Sequence, residues 1–248
     1  MIQKPLFSPQ TEWIPPQDFP DLSDHPEISI DLETKDPELK TMGSGSITGR
    51  GEIVGIALAV EGWSGYYPIA HEGGGNMDKK KVMDYFQKIL NLPSIKIFHN
   101  AMYDVCFIKA AGLKINGQIV DTMIAGSLVD ENRFRYDLGS MGRDYLGRGK
   151  NEAVLNETAA LWGVDPKSEM YKLPAMYVGE YAERDAEMTL ELWQNMKQEI
   201  QHQDIQSIFD LETELFPCLV DMRFLGVRVD IQAANELKDK LSSEEKEC

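Results

Sequence analysis

The chain has 248 residues, 42% of them hydrophobic and 27% charged, and a formal net charge of −16. That length and balance suit one well-buried α/β domain with extra material at its ends, and they exclude wholesale disorder. The charge excludes a module that grips nucleic acid by a basic surface of its own, because phosphate neutralisation dominates such binding; it leaves room for carboxylates that reach phosphate through divalent cations.

The longest apolar stretch, Ile53 to Val60, is far too short to span a bilayer, and the N-terminus has no apolar core before a small-residue cleavage site. Cys106, Cys218 and Cys248 have no metal-type spacing. They read as reduced thiols, and the chain as cytoplasmic with no membrane partner.

In chain order, residues 1–26 hold prolines at 5, 9, 15, 16, 20 and 26. Proline fixes φ and removes a donor, so this stretch is expected to be an extended arm pinned by Trp13 and Phe19. Ile28-Ser-Ile-Asp-Leu32 alternates as a first strand. Met42 to Gly51, rich in glycine and serine, reads as a flexible loop; it lacks the Gly-Lys-Ser/Thr ending of a phosphate-binding loop. Strands are predicted over Ile53–Val60 and Trp63–Ile69, joined at Glu61-Gly62.

Val82, Tyr85, Phe86 and Ile89 have helical spacing, with Asp78 as N-cap and Lys79, Lys80 and Lys81 on a solvated face. Ile95–Phe98 is a short strand, Ala101–Ala111 a helix closed by Gly112, and Ile119-Val120 another strand entering Asp121. Several helices broken by glycines and Pro166 are expected from Met123 to Leu173. The strongest helical pattern is Val178 to Gln201, with Ala182, Ala186, Leu190 and Trp193 along one side. Early strands covered by later helices predict a mixed α/β sheet.

Carboxylates recur in three places. In Asp31-Leu-Glu33 the acids are two apart, so a strand projects both to one face. Alone, such a pair is an ordinary solvated strand end. In Phe98-His-Asn-Ala-Met-Tyr-Asp104, Asn100 and Asp104 share a helical face; taken singly, a cap and a surface charge explain them equally well. In Tyr181-Ala-Glu-Arg-Asp185 the phenol and carboxylate sit side by side on a helix, a spacing that chance often produces.

Together, D-x-E, then N-x-x-Y-D, then Y-x-x-x-D, in this order, resemble the DEDDy branch of the DnaQ-like 3′-5′ exonucleases, and within it the proofreading domain of family A DNA polymerases. The resemblance covers about residues 27–200. It extends to Tyr67-Pro-Ile-Ala-His71, Ile119-Val-Asp-Thr-Met-Ile-Ala125 and Tyr136-Asp-Leu-Gly-Ser-Met141. The tail from Leu211 through Gly226-Val-Arg-Val-Asp230 resembles the junction where a polymerase module begins. The implied fold is an RNase H-like mixed five-stranded sheet flanked by helices. The implied division is an arm (1–26), an exonuclease domain (27–203) and a helical junction (204–248).

By the same resemblance, Asp31, Glu33, Asp104 and Asp185 would hold two divalent cations, Mg²⁺ or Mn²⁺, and Tyr181 with Glu33 would orient the attacking water. Hard oxygen ligands suit those ions, and no Cys/His cluster suits zinc. Thr34, Asn100, Tyr103 and Arg135 would touch a single-stranded DNA 3′ end, with Arg135 equally readable as a plain surface charge. His71 reads as structural and Asp121 as ordering a strand end. Where the family carries a strand-separating leucine six residues after the first aspartate, this chain has Pro37, with Leu39 the nearest substitute.

The resemblance implies proofreading for a polymerase module in cis or in trans, in a bacterial cell or phage-infected host. The alternatives are an RNase D-type exoribonuclease, against which the tail counts, and a catalytically silent binding module, against which the full set of acids counts.

Overall fold

The computed structural model describes residues 11–247. Pro5 and Pro9 of the expected arm, and Cys248, lie outside the described residues. Five strands form one sheet: β1 (Glu27–Lys35), β2 (Glu52–Val60), β3 (Trp63–Pro68), β4 (Ile95–Phe98) and β5 (Ile119–Asp121), in the order β3-β2-β1-β4-β5. β1 is central. It runs antiparallel to β2 and parallel to β4, which is itself parallel to β5.

The sheet is covered on both faces, and the sequence shows why. All of Ile53–Val60 in β2 is buried, as expected of a continuous apolar strand with helices on either side. In β1 the period of two splits the side chains. Ile28, Ile30 and Leu32 join Phe86 and Ile89 of α3 (Lys79–Asn91) and Phe107 of α4 (Ala101–Ala110) in one core. The intervening Ser29, Asp31 and Glu33 therefore point to the other face.

On that other face lies the longest helix, Gly179–His202, which packs on β1, β2 and β3. At about 1.5 Å per residue it crosses the whole sheet. Its approach is allowed by small residues on both sides: Ala182 and Ala186 pack against Ala57 and Ala59 of β2. Between β5 and this helix come α5 (Thr122–Val129), α6 (Leu138–Leu146), α7 (Ala153–Trp162) and two 3₁₀ turns.

One expectation is corrected. Residues 42–51 are no open loop: Met42 ends one short helix, α1 (Leu39–Met42), and residues 45–48 form another, α2 (Gly45–Thr48). The Asp36 carboxylate accepts from the Gly45 amide at 3.0 and 3.1 Å, and Gly51 N–H returns to the Gly45 carbonyl at 3.1 Å. A side chain six residues before the glycine-rich run closes it, which composition within the run does not reveal.

Counting the long helix as α8, the chain continues in α9 (Gln206–Leu225) and α10 (Ile231–Glu247). Phe209, Phe216 and Val220 turn inward, whereas Leu211, Leu215, Leu219 and Met222 line an exposed face at helical spacing. Among the described residues no helix is long and apolar enough to cross a membrane.

Candidate active site

Three segments far apart in sequence meet beside the C-terminal half of β1. Asp31 sits opposite Ala57 in the β1–β2 ladder, whose register shifts between Glu33 and Thr34. Because Ala57 packs against Ala182 and Ala186, the α8 side chains next to those alanines, Tyr181 and Asp185, arrive over the same stretch of β1. From the opposite side, α4 brings Asp104, whose Oδ1 accepts from the Leu32 amide at 3.1 Å. Asp104 is 5% and Asp185 3% exposed, so neither is the surface charge its spacing alone allowed.

Four carboxylates so placed disturb one another. Burial, then the Asp185 charge, push the Asp31 carboxyl up to about 7 against the pull of Lys150. Glu33 rises well above the usual range through burial, Asp31 and Asp185. Asp104 rises through burial and then Asp31, against the Leu32 amide that it accepts from. Asp185 is raised by burial, with Lys150 opposing. Burial, and then Asp185, Glu33 and Asp31, also raise the Tyr181 phenol, so it is a hydroxyl at neutral pH.

The residue that sequence reasoning missed is Lys150. It lies in the irregular segment between α6 and α7, and its ammonium is 2.5 Å from Asp185 Oδ2 and 3.1 Å from the Tyr181 hydroxyl. Burial opposes its charge, but Asp185, Asp31 and Glu33 hold it protonated. Nothing in Gly147-Arg-Gly-Lys150-Asn marks this lysine; only the placement of the loop does.

The expected substrate residues fall around this cluster. The Thr34 and Tyr103 hydroxyls are 2.8 Å apart, and Tyr103 donates to Asp36 at 3.2 Å. Asn100 is exposed and left-handed, at φ 64°, just before α4. Asp121 fixes that turn by accepting from the amides of Asn100 at 2.9 Å, Ala101 at 2.8 Å and Met123 at 2.8 Å. Arg135 pairs with Asp137 at 2.9 Å. A cavity of about 560 Å³, a size typical of ligand sites, is lined by Asp31, Asn100, Arg135, Arg143, Lys150 and Lys167 among others. His71 stands apart, its Nε2 2.6 Å from the Tyr66 hydroxyl and its Nδ1 3.0 Å from the Leu173 carbonyl. Leu39 is exposed at the start of α1.

The donor set fits Mg²⁺ or Mn²⁺, being all hard oxygen and deficient in positive charge. As the side chains stand, however, no three His, Cys, Asp or Glu residues among those described are arranged to hold one ion. The cation against Asp185 is the Lys150 ammonium.

A mixed sheet whose central β1 carries two of the acids, with a long helix laid across it, is the RNase H-like architecture of 3′-5′ exonucleases. The 3′-5′ exonuclease family model matches residues 19–201, and the chain belongs to that family. It is 35% identical to a DNA-directed DNA polymerase of Pseudomonas phage M6, over 92% of this chain and 36% of the relative. It thus spans about a third of the length of that relative. Among solved structures it resembles the POL domain of Pol1 from M. smegmatis in complex with DNA primer-template and dNTP. The TM-score is 0.62 at 16% identity, covering 89% of this chain and 32% of that one. It also resembles Brucella melitensis NrnC with bound Mg²⁺, with a TM-score of 0.60 at 16% identity over 85% of this chain and 92% of that one. Those two likenesses establish the fold alone.

Proposed function

We propose that this exonuclease removes nucleotides one at a time from the 3′ end of single-stranded or frayed primer DNA, editing for a DNA polymerase module. The convergence of Asp31, Glu33, Asp104 and Asp185 around one end of β1 carries the reading. The polymerase relative supports DNA over RNA as the substrate, since the likeness to NrnC is one of fold at low identity. The polymerase module acts in cis, joined through the helices after residue 203, or in trans; the exposed Leu211, Leu215, Leu219 and Met222 face of α9 suits a packed neighbour. A bacterial or phage-infected cytoplasm is the setting.

In this reading Asp31, Glu33, Asp104 and Asp185 hold two divalent cations. When bound, such ions supply an activated attacking water and offset charge on the leaving 3′ oxygen. The chain's own side chains do the rest. The Tyr181 hydroxyl, neutral at physiological pH, donates or accepts one hydrogen bond and so orients the water together with Glu33. Thr34 and Tyr103, already locked to each other, offer hydroxyls to the terminal nucleotide. Asn100 is held by Asp121 at the mouth of the cavity, where Arg135 meets a phosphate of the entering strand.

The test is a 5′-labelled single strand incubated with the protein and Mg²⁺ or Mn²⁺. A ladder shortening from the 3′ end, faster for DNA than for RNA and lost in Asp31→Ala and Asp185→Ala, is expected. Folded wild-type protein that leaves the strand intact with either ion would reject the enzymatic reading, and faster loss of RNA would turn it towards the RNase D type.

A further inference from the structure

We propose that Lys150 is a built-in counter-ion of the carboxylate cluster, and that a divalent cation binds there by exchanging places with its ammonium. The inference rests on the reading that these acids bind metal.

Three observations carry it. First, the ammonium lies where a cation is needed: 2.5 Å from the 4%-exposed Asp185 carboxylate and 3.1 Å from the Tyr181 hydroxyl, with Asp31 and Glu33 close enough to act on its charge. A buried carboxylate without a partner is costly, so a fold that gathers buried Asp104 and Asp185 beside half-buried Asp31 and Glu33 gains from a cation of its own. Second, no three of the acids as they stand are arranged around one ion, although their chemistry suits a metal. The ammonium and a dication would have to share the same Asp185 oxygens, and like charges exclude each other at such distances.

Third, the ammonium has somewhere to go. Lys150 lies in the irregular stretch between α6 and α7, and its side chain is 22% exposed beside the 560 Å³ cavity that it lines with Asp31, Arg135, Arg143 and Lys167. Rotation of its four-carbon stem moves the charge from the acids to the cavity without unfolding an element. Loading of the site then turns a cluster-bound ammonium into a cavity-facing one, next to the two arginines.

The exchange predicts two readouts that do not depend on catalysis. Calorimetric titration of the chain with Mn²⁺ should give a dissociation constant about tenfold lower in Lys150→Met than in wild type, since removing the internal cation leaves Asp185 uncompensated and removes the competitor. Lys150→Arg, which keeps the charge, should bind no more tightly than wild type. In the wild-type chain, Lys150 should react slowly with an amine-acetylating reagent in chelator and severalfold faster in Mn²⁺, read by peptide mass spectrometry against exposed Lys80.

Unchanged or weaker Mn²⁺ binding by folded Lys150→Met overturns the proposal. So does a Lys150 labelling rate that stays level or falls in Mn²⁺, a measurement that needs no variant. If wild-type protein binds no Mn²⁺ in a manner lost with Asp31→Asn, the metal reading of the acids fails as well, which separates the two failures.

Discussion

The main-chain amide of Leu32 donates to Asp104 Oδ1 at 3.1 Å, so one hydrogen bond joins the strand that carries Asp31 and Glu33 to the helix that carries the third acid. Substitutions at 104 should therefore separate charge from scaffold. Asp104→Asn keeps an acceptor of the same size and sheds a carboxylate that burial and Asp31 both disfavour. Asp104→Ala leaves the Leu32 amide unpaired in the interior, at a cost of about 1–3 kcal/mol. Urea unfolding should find the Asn variant more stable than the Ala variant by that margin, while both lose nuclease activity. Equal stabilities would mean that the bond contributes nothing.

Tyr181→Phe keeps the ring, and with it the packing of α8 on β2, but removes the hydroxyl near Lys150. If that hydroxyl orients the attacking water, the rate should fall roughly 10²-fold, in the range of a lost positioning contact, with little change in stability. Single-turnover degradation of a labelled strand measures it. A rate within about twofold of wild type would remove Tyr181 from the chemistry.

Crowding buried carboxylates for function should cost stability. Asp31→Asn removes a group whose carboxyl is pushed up to about 7 by burial and Asp185. In chelator the variant should unfold at higher denaturant than wild type, by about 1–3 kcal/mol, while its nuclease activity disappears. Lower stability would mean that the Asp31 carboxylate is already well compensated.

How much of this was legible in the sequence depends on the range of the interaction. The strands and long helices follow from period-two and period-3.6 patterns, and Asp78 caps α3 through the Lys81 amide as its position before the pattern implied. The acids could be picked out because their order along the chain resembles that of the family; their spacings alone left the ordinary readings open. What joins them could not. The Leu32–Asp104 bond, the seat of Ala57 under Ala182 and Ala186, and the reach of Lys150 into Asp185 all span long sequence separations and leave no local pattern. The closure of residues 42–51 by Asp36 is local, nine residues from Asp36 to Gly45, but the closing side chain lies outside the glycine-rich run and leaves no mark in its composition.

His71 gives a pH dependence of definite sign. Burial lowers its imidazole to about 4, against an ordinary 6.5. Over that interval the unfolded chain binds the proton and the folded one does not, so this contribution is complete above about 6.5 and is lost as pH falls towards 4. Between pH 7 and 5 the loss is about 2 kcal/mol. His71→Gln, which can still meet the Tyr66 hydroxyl and the Leu173 carbonyl, should shrink the difference in unfolding free energy between those two pH values by that amount. An unchanged difference would place the titrating groups elsewhere.

Trp13 and Gly179 make the last test, because the same substitution should change sign with its background. The indole packs on Gly179 so closely that a Cβ there would sit 2.1 Å from ring atom Cε2. Its Nε1 donates to Glu183 Oε1 at 2.9 Å, and that same oxygen accepts from the Tyr66 amide at 2.9 Å. The arm is thus fastened to the first turns of α8. Gly179 is the first residue of α8 and has no positive φ, so alanine there should by itself be neutral or stabilise by up to about 0.5 kcal/mol. In the wild-type background Gly179→Ala must instead expel the indole, and should destabilise by about 2 kcal/mol, much as Trp13→Ala does. In the Trp13→Ala background the methyl group meets no ring, so Gly179→Ala should become neutral or stabilising. A double-mutant cycle by urea denaturation reads the coupling directly. Additive free energies would show that the arm is not held by this contact.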